Sequence, residues 1–467
     1  MTLDFAQFDY HIAQIVQAAI SAADPGAAVY RHLQRRDRAV TVHNFTHLLD
    51  EGHVFLVATG KAALPMAAAA AEILGSDLAE GVVITKKGRE GELAQTGDIH
   101  PSLRVFYGGH PISDESSLQA TAAVLEMLGR TTADDLVLCL ISGGTSALLT
   151  QPYIPLANWQ RLNGVLLDSG CSIEALNCVR RHLDRVKGGG LARAAAPAQC
   201  ISLILSDVVG NPLHAIGSGP TVLHHDSPQD ALVVLARYEV ASRLSAEDWE
   251  TISKVIEASS NPASETIPQP YNWIVGDVRR AADAAMTRAA QLGFLSDVLT
   301  IHLEGEARAV GGFAAALAWD LPPGRCYILG GETTVTVHGE GAGGRNQELA
   351  LAAALSLAGC PRTVVASVAT DGEDGTTDAA GAVVTGETVA AAQTCGLDPA
   401  EFLSHNDSYT FFDRLAQEGR TMSGGHVKTG PTGTNVNDLL FILKYPEGFQ
   451  QGTLDDPLAH IESEEEE

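Results

Sequence analysis

A short apolar run that stops at a glycine turn and passes into a helical segment recurs along this chain, and it restricts the fold to a sheet covered by helices. His53-Val-Phe-Leu-Val-Ala-Thr reads as a buried strand, Gly60 as the turn and Lys61 to Leu74 as an Ala-rich helix, with another strand at Gly81-Val-Val-Ile-Thr. Strands without polar alternation are buried on both faces, and the strand–helix–strand succession is the unit of a parallel sheet. The pattern returns in Asp135-Leu-Val-Leu-Cys-Leu-Ile-Ser, the turn Gly143-Gly144 and a helical segment from Thr145; Cys200-Ile-Ser-Leu-Ile-Leu-Ser then ends at Asp207. A helical stretch from about Ile12 to Leu33 precedes them. The first half is therefore predicted to be a doubly wound, Rossmann-like parallel-sheet domain of an α/β protein.

A chain of 467 residues exceeds one ordinary core, so two domains are expected. Between Glu257 and Asn272 the Pro- and Ser-rich stretch Ala-Ser-Ser-Asn-Pro-Ala-Ser-Glu-Thr-Ile-Pro-Gln-Pro has no periodicity and reads as a linker. This divides the chain into a domain over 1–260, a smaller α/β domain with a mixed sheet over 272–445, and an acidic tail over 446–467. In the second domain a strand–helix unit is expected around Trp273 to Gly293, a half-buried strand from Thr334 to His338, a helix from Asn346 to Ala358 and a strand from Thr363 to Thr370.

Charge and cysteines restrict partners and compartment. The formal net charge is −27, a field that repels nucleic-acid backbones and anionic membrane surfaces, so the expected partner is a small molecule. An anionic substrate then needs a local basic pocket. No apolar run approaches the ~20 residues of a membrane span, Met1 to Asp9 lacks the pattern of a signal peptide, and the seven cysteines form no C-x-x-C pair. A cytoplasmic location is expected. The sequence fixes no oligomeric state and leaves room for a homodimer.

Ligands of an open α/β sheet sit outside the carboxyl ends of the strands, so the residues that follow each strand carry the chemistry. Gly60 and Lys61 form a turn with a cation where an anion is favoured; the alternative is a surface lysine at a helix start. Ser142, Gly143, Gly144 and Ser146 suit phosphate oxygens, or simply cap a helix. Asp207 suits Mg²⁺ or a proton in transfer. Glu332 follows Gly330-Gly331, and Arg345, with Asn346 beside it, follows a Gly-rich loop where a bidentate contact to carboxylate or phosphate is favoured. The acid-rich run Thr370 to Asp378 includes Asp371 and suits Mg²⁺ or water positioning better than calcium, since the Glu of a calcium loop is missing. One further pattern, Gly339-x-Gly341-x-x-Gly344, matches a dinucleotide fingerprint and keeps a hydride-transfer enzyme under consideration.

Taken in order, these segments resemble the glycerate 2-kinase family, whose C-terminal half is a MOFRL-type domain and whose members are sometimes labelled hydroxypyruvate reductases. The resemblance spans roughly Ile12 to Leu443 and rests on Ala58-Thr-Gly-Lys-Ala-Ala, Gly109-His-Pro-Ile-Ser-Asp-Glu, Leu140-Ile-Ser-Gly-Gly-Thr-Ser, Asn177-Cys-Val-Arg-Arg-His-Leu-Asp-Arg-Val-Lys-Gly-Gly, Leu205-Ser-Asp-Val-Val-Gly, Gly217-Ser-Gly-Pro-Thr, Gly330-Gly-Glu-Thr-Thr, Gly343-Gly-Arg-Asn-Gln-Glu, Ala369-Thr-Asp-Gly-Glu-Asp-Gly and Thr429-Gly-Pro-Thr-Gly-Thr-Asn-Val-Asn-Asp. It departs at Thr145, where a third glycine is usual, at Gly190, where Arg is usual, and at Asn211-Pro-Leu-His, where the family is more acidic.

The resemblance implies an ATP- and Mg²⁺-dependent kinase that phosphorylates the 2-hydroxyl of D-glycerate in an interdomain cleft. Lys61, Asp207 and Arg345 would be its catalytic residues, with Gly60, Ser142, Gly143, Gly144, Ser146, Glu332 and Asn346 around substrate and nucleotide. Asp207, Glu332 and Asp371 would be the metal carboxylates. An NAD(P)H-dependent hydroxypyruvate reductase and a non-catalytic acidic binding protein are the competing readings.

Overall fold

In the computed structural model, which describes residues 3–87, 100–259, 267–418 and 424–447, the apolar runs form two six-stranded sheets, one in each of two units. Pro25–Gly276 make one unit; Met1–Asp24 and Asp277–Glu467 make the other. Residues 448–467 of the expected acidic tail and 260–266 of the expected linker lie outside the described residues.

The Pro25–Gly276 unit contains a small antiparallel sheet of β1 (Leu33–Arg36), β2 (Ala39–Val42) and β3 (Phe45–Leu48). Its main sheet is built from β4 (Val54–Thr59), β5 (Leu78–Lys86), β6 (Leu103–Gly108), β7 (Leu136–Ile141), β8 (Gln199–Leu205) and β9 (Tyr271–Gly276). The spatial order is β6-β5-β4-β7-β8-β9 and every neighbouring pair is parallel. Every residue of β7 is buried, as a strand covered on both faces requires. Val57, Val82, Val137 and Ile204 form its core with Val124 and Met127 of the helix Glu115–Leu128. Counted from β4, this is the 3-2-1-4-5-6 order of a doubly wound fold, and it reverses between β4 and β7. A satellite core around Trp159, Leu162, Leu235 and Ile252 joins the helices Leu156–Asp168, Ile173–Leu183, Pro228–Arg237 and Ala246–Ala258.

The second unit holds a mixed sheet of β10 (Leu295–Glu306), β11 (Arg325–Thr334), β12 (Thr363–Ala369), β13 (Gly381–Thr385), β14 (Gly424–Val427) and β15 (Asp438–Lys444). Its order is β10-β11-β15-β12-β13-β14, with β10 and β11 parallel and the other neighbours antiparallel. The last strand, β15, thus lies inside the sheet, and each of its residues is buried.

Four expectations change. The strand–helix unit at Trp273 to Gly293 is divided: β9 pairs with β8 as the last strand of the parallel sheet, while the helix Val278–Leu292 belongs to the other unit. The break between units therefore follows β9, because the ladder to β8 satisfies that strand's backbone groups, and does not fall in the 257–272 stretch. The expected helix over 12–33 is two helices, Phe8–Ala22 and Pro25–His32, as the proline disfavours helical geometry in Asp24 before it. The first of them packs on Val278–Leu292 in the mixed-sheet unit, buries Phe8, Ile12, Ile15 and Ala19, and is tied there by His11 Nδ1 to Tyr445 Oη (2.9 Å) and Thr434 Oγ1 to Ala23 O (2.7 Å). Finally, β11 ends at Thr334, so the alternating Thr334 to His338 stretch is loop, and the helix after Gly144 is only Thr145–Leu148.

Candidate active site

β4 and β7 carry Thr59-Gly60-Lys61 and Ser142-Gly143-Gly144 to the two sides of the point where the strand order reverses. The two turns are joined through backbone. Ser142 N donates to Thr59 O (3.0 Å), Lys61 N to Gly143 O (2.8 Å) and Ala62 N to Ser142 Oγ (3.1 Å). Gly60 has φ +119°, and a Cβ on it would stand 2.2 Å from Ser142 Oγ, so both conformation and space demand glycine. β8 brings Asp207 to the same place, since a Cβ on Gly143 would stand 2.0 Å from Asp207 Oδ2. A lysine and a carboxylate thus flank one bare glycine at the mouth of the sheet, where an α/β fold takes its ligand.

The hydroxyls expected to hold phosphate are engaged elsewhere. Ser142 is buried and its Oγ accepts from Ala62 N, while Ser146 Oγ lies 3.0 Å from Ser218 Oγ. His110, which follows β6, was absent from the expected site residues, yet its ring touches the turn: a Cβ on Gly144 would lie 3.0 Å from His110 Cδ2. Desolvation first, then the charges of Lys61 and Lys86, push the His110 pKa down to about 4, so the ring is neutral at neutral pH. The signal for it was the Gly109-His110-Pro111 segment just after a strand.

In the second unit, Glu332 lies in the last residues of β11, Asp371 follows β12, Asp438 opens β15 and Arg345 opens the helix Arg345–Leu357. Because β15 runs antiparallel to both neighbours, these positions share one end of the sheet. Arg345 forks onto Asp438 through Nε (2.5 Å) and Nη2 (3.0 Å), and its Nη1 meets Glu332 Oε1 at 2.8 Å. Asn437 Nδ2 donates to the other oxygen of Glu332 (3.1 Å). Asp438 is buried, and burial pushes its pKa up to about 6 against the pull of Arg345. A cavity of about 470 Å³ opens beside Arg345 and Glu332, walled by the loop from Gly341 to Gly344 and by Asn406.

Asn346 is placed differently from its expected role as a ligand-binding residue. It is buried, with its amide on Asp374 Oδ1 (3.2 Å) and its carbonyl oxygen accepting from Ser367 Oγ (2.6 Å). Asp374 caps the helix, accepting from the backbone of Asn346 (3.0 Å) and Gln347 (2.9 Å). That cap removes the physical basis of the dinucleotide reading. A pyrophosphate would need the N–H groups that the Asp374 carboxylate already fills, and the fingerprint glycines Gly339 and Gly341 instead pack on His405 and Asp407. Moreover β15 separates β11 from β12, so the segment is not a strand–helix–strand unit of adjacent parallel strands.

Among the described residues no three His, Cys, Asp or Glu side chains gather as a metal site. The seven cysteines are free, and among the described residues no helix is long and apolar enough to cross a membrane.

Comparison with known proteins matches residues 11–253 to a domain of unknown function (DUF4147) and residues 325–438 to the MOFRL family. The D-glycerate 2-kinase of Thermotoga maritima is 38% identical over 92% of this chain and 97% of its own length. The glycerate kinase of Homo sapiens is 37% identical over 92% of each, and the glycerate 2-kinase of Pyrococcus horikoshii is 35% identical over 92% and 96%. A crystal structure of a glycerate kinase from Thermotoga maritima covers 94% of this chain and 99% of that one, with a TM-score of 0.79 at 36% identity.

Proposed function

Since the chain belongs to the glycerate 2-kinase family, we propose that it transfers the γ-phosphoryl group of ATP to the 2-hydroxyl of D-glycerate. The observation that carries this reading to particular residues is the grouping of Lys61, Gly143 and Asp207 where the strand order of the parallel sheet reverses. Phosphoryl transfer asks for positioning and charge neutralisation more than for covalent chemistry, and this group supplies both.

In this reading the Asp207 carboxylate takes the proton of the glycerate 2-hydroxyl as that oxygen attacks the γ-phosphorus, and ADP leaves. Lys61, whose backbone N–H is bound to the Gly143 carbonyl, is assigned the phosphoryl oxygens, whose charge its ammonium would offset. The backbone of Gly143 and Gly144, with no side chain in the way, lets a phosphate approach closely. His110, uncharged, donates or accepts a hydrogen bond there without adding a third positive charge beside Lys61 and Lys86. On the second unit Arg345 is assigned an anionic group of the substrates; with its fork closed on Asp438, it offers that group only its Nη1 edge, which Glu332 shares. A Mg²⁺ bound with the nucleotide would supply charge neutralisation on phosphate oxygens, with Asp207 as its carboxylate if that residue does not take the proton, or Glu332 and Asp371 on the second unit. The free cysteines accord with a reducing cytoplasm.

Purified protein given D-glycerate, ATP and Mg²⁺ should form ADP and 2-phospho-D-glycerate. Oxidation of NAD(P)H by hydroxypyruvate, with no use of ATP, would overturn the reading in favour of the reductase. Asp207→Asn keeps the shape and removes the charge; most activity should be lost while the thermal midpoint stays nearly unchanged. An active variant reassigns Asp207 to the local turn.

A further inference from the structure

Lys187 is the fully buried lysine of the Pro25–Gly276 unit, with none of its surface exposed. Lysine is almost never placed so unless a specific partner holds it. Its Nζ donates to Ser146 O (2.8 Å) and Leu149 O (3.1 Å), stands 3.8 Å from Asp184 and lies 5.9 Å from the Trp159 ring. Ser146 and Leu149 bracket the exit of the one-turn helix Thr145–Leu148, which follows directly on Gly143 and Gly144. One turn has no internal partners for its last carbonyls, and Lys187 supplies them for two residues at once.

A second tie reaches the same turn. Ser218 Oγ lies 3.0 Å from Ser146 Oγ and donates to Asn177 Oδ1 (2.8 Å), and Gly188 N, next to the lysine, donates to Ser218 O (3.0 Å). Asp184, also buried, accepts from Val186 N (3.0 Å) and Gln151 N (3.1 Å), so the base of the lysine and the far end of the turn share one carboxylate. The segments quoted above as Asn177 to Gly189 and Gly217 to Thr221 therefore meet beneath the Gly143 turn, although no group in the reaction scheme uses them.

Nothing about packing asks for a lysine here, because an apolar side chain of similar length would fill the same space without desolvating an amine. What the amine adds is a fixed position for the backbone from Gly143 to Leu149. Gly143 in turn touches both Lys61, through its carbonyl, and Asp207, through its bare Cα. We propose that Lys187, with Ser218, is a buried positioning clamp that sets the distance between Lys61 and Asp207 by holding the Gly143 turn from below. The assignment of Lys61 and Asp207 to the reaction is that of the kinase reading and is tested separately by the parent protein's ADP formation.

Lys187→Met removes the donor and keeps the length; Ser218→Ala removes the second tie with a minimal change in volume. Each folded variant should show a kcat lowered about 10²-fold for Lys187→Met and about 10-fold for Ser218→Ala, with the KM for glycerate within about twofold of the parent. Amide hydrogen exchange over residues 143–149 should quicken at least tenfold in the same variants, while exchange in β7 and β8 stays as in the parent. The exchange readout stands even if the parent makes no ADP, so failure of the kinase reading and failure of the clamp are told apart. A folded Lys187→Met with parental exchange over 143–149 overturns the clamp, as does parental kcat in an active background. If Lys187→Met does not fold, Ser218→Ala decides by the same two criteria.

Discussion

Lys61 and Arg345 both stand beside glycines near helix starts, but their charges are treated differently. Lys61 keeps a partly exposed side chain next to a neutral His110, whereas Arg345 is forked onto Asp438 and touched by Glu332. Lys61→Ala and Arg345→Ala should each lower kcat/KM by about 10²-fold or more, roughly 3 kcal/mol of transition-state stabilisation. Arg345→Ala should also lower the thermal midpoint, because it leaves Asp438 buried and unpaired, and by more than Lys61→Ala, which removes a partly exposed side chain. Steady-state kinetics alongside thermal melts separate the two. Asp438 gives a pH dependence with opposite signs for stability and rate. Its pKa is raised to about 6, so the native state holds that proton more readily than the unfolded chain. The stability it contributes is full below the ordinary Asp range and is lost as pH rises through about 6. The rate should move the other way: kcat/KM should fall as pH drops through about 6, when protonation loosens the fork on Arg345. A pH profile in which Asp438→Asn keeps that acid limb would locate the titration in another group.

At the scale of elements, the helix Arg345–Leu357 is held at its start by one buried carboxylate from a loop that follows another strand. Asp374→Ala leaves the N–H groups of Asn346 and Gln347 without their acceptor and should cost about 2–3 kcal/mol in urea unfolding, with loss of activity as Arg345 shifts. Asp374→Asn should cost about 1 kcal/mol, since Asn also caps. This cap shows why parts of the site were hidden in the sequence. β4, β7 and β8 were legible because uninterrupted apolar runs ending at glycine or aspartate leave few alternatives, and Lys61, Gly143 and Asp207 came with them. Asp374 and Asp438 were only two acids among many, because their roles depend on which strands become neighbours. Asp438 meets Arg345 across 93 positions of sequence, through a strand that inserts between β11 and β12. The same insertion made the Gly339 fingerprint misleading, for local spacing looks alike whether or not two parallel strands adjoin. β9 was misplaced for the converse reason: a Pro- and Ser-rich approach looks like a linker, and only the open edge of β8 reveals that one more strand is still owed to the first sheet.

At the scale of the molecule, the chain starts in one unit, builds the other as a continuous stretch from Pro25 to Gly276, and then returns. Removing residues 1–24 should therefore spare the Pro25–Gly276 unit and damage the mixed-sheet unit, although the cut is far from that unit in sequence. The helix Phe8–Ala22 buries Phe8, Ile12, Ile15, Val16 and Ala19, and at about 1.5–3 kcal/mol for each larger apolar side chain its loss exceeds what a typical domain can spare. Circular dichroism and limited proteolysis of the truncated chain should show one protected fragment near residues 25–276 and digestion of the remainder. Two protected fragments would mean that the first helix is dispensable. The return of the chain also sets a schedule on the ribosome. His11 and its partner Tyr445 are 434 positions apart, so at ~5–20 residues per second the helix waits about 20 to 90 seconds for the strand that completes its seat. During that interval a complete parallel-sheet unit can fold, and the apolar stripe of the helix stays uncovered until Val278–Leu292 is made and is fully seated only with the end of β15. Until then the stripe is open to a holding chaperone, and the speed of translation sets how long.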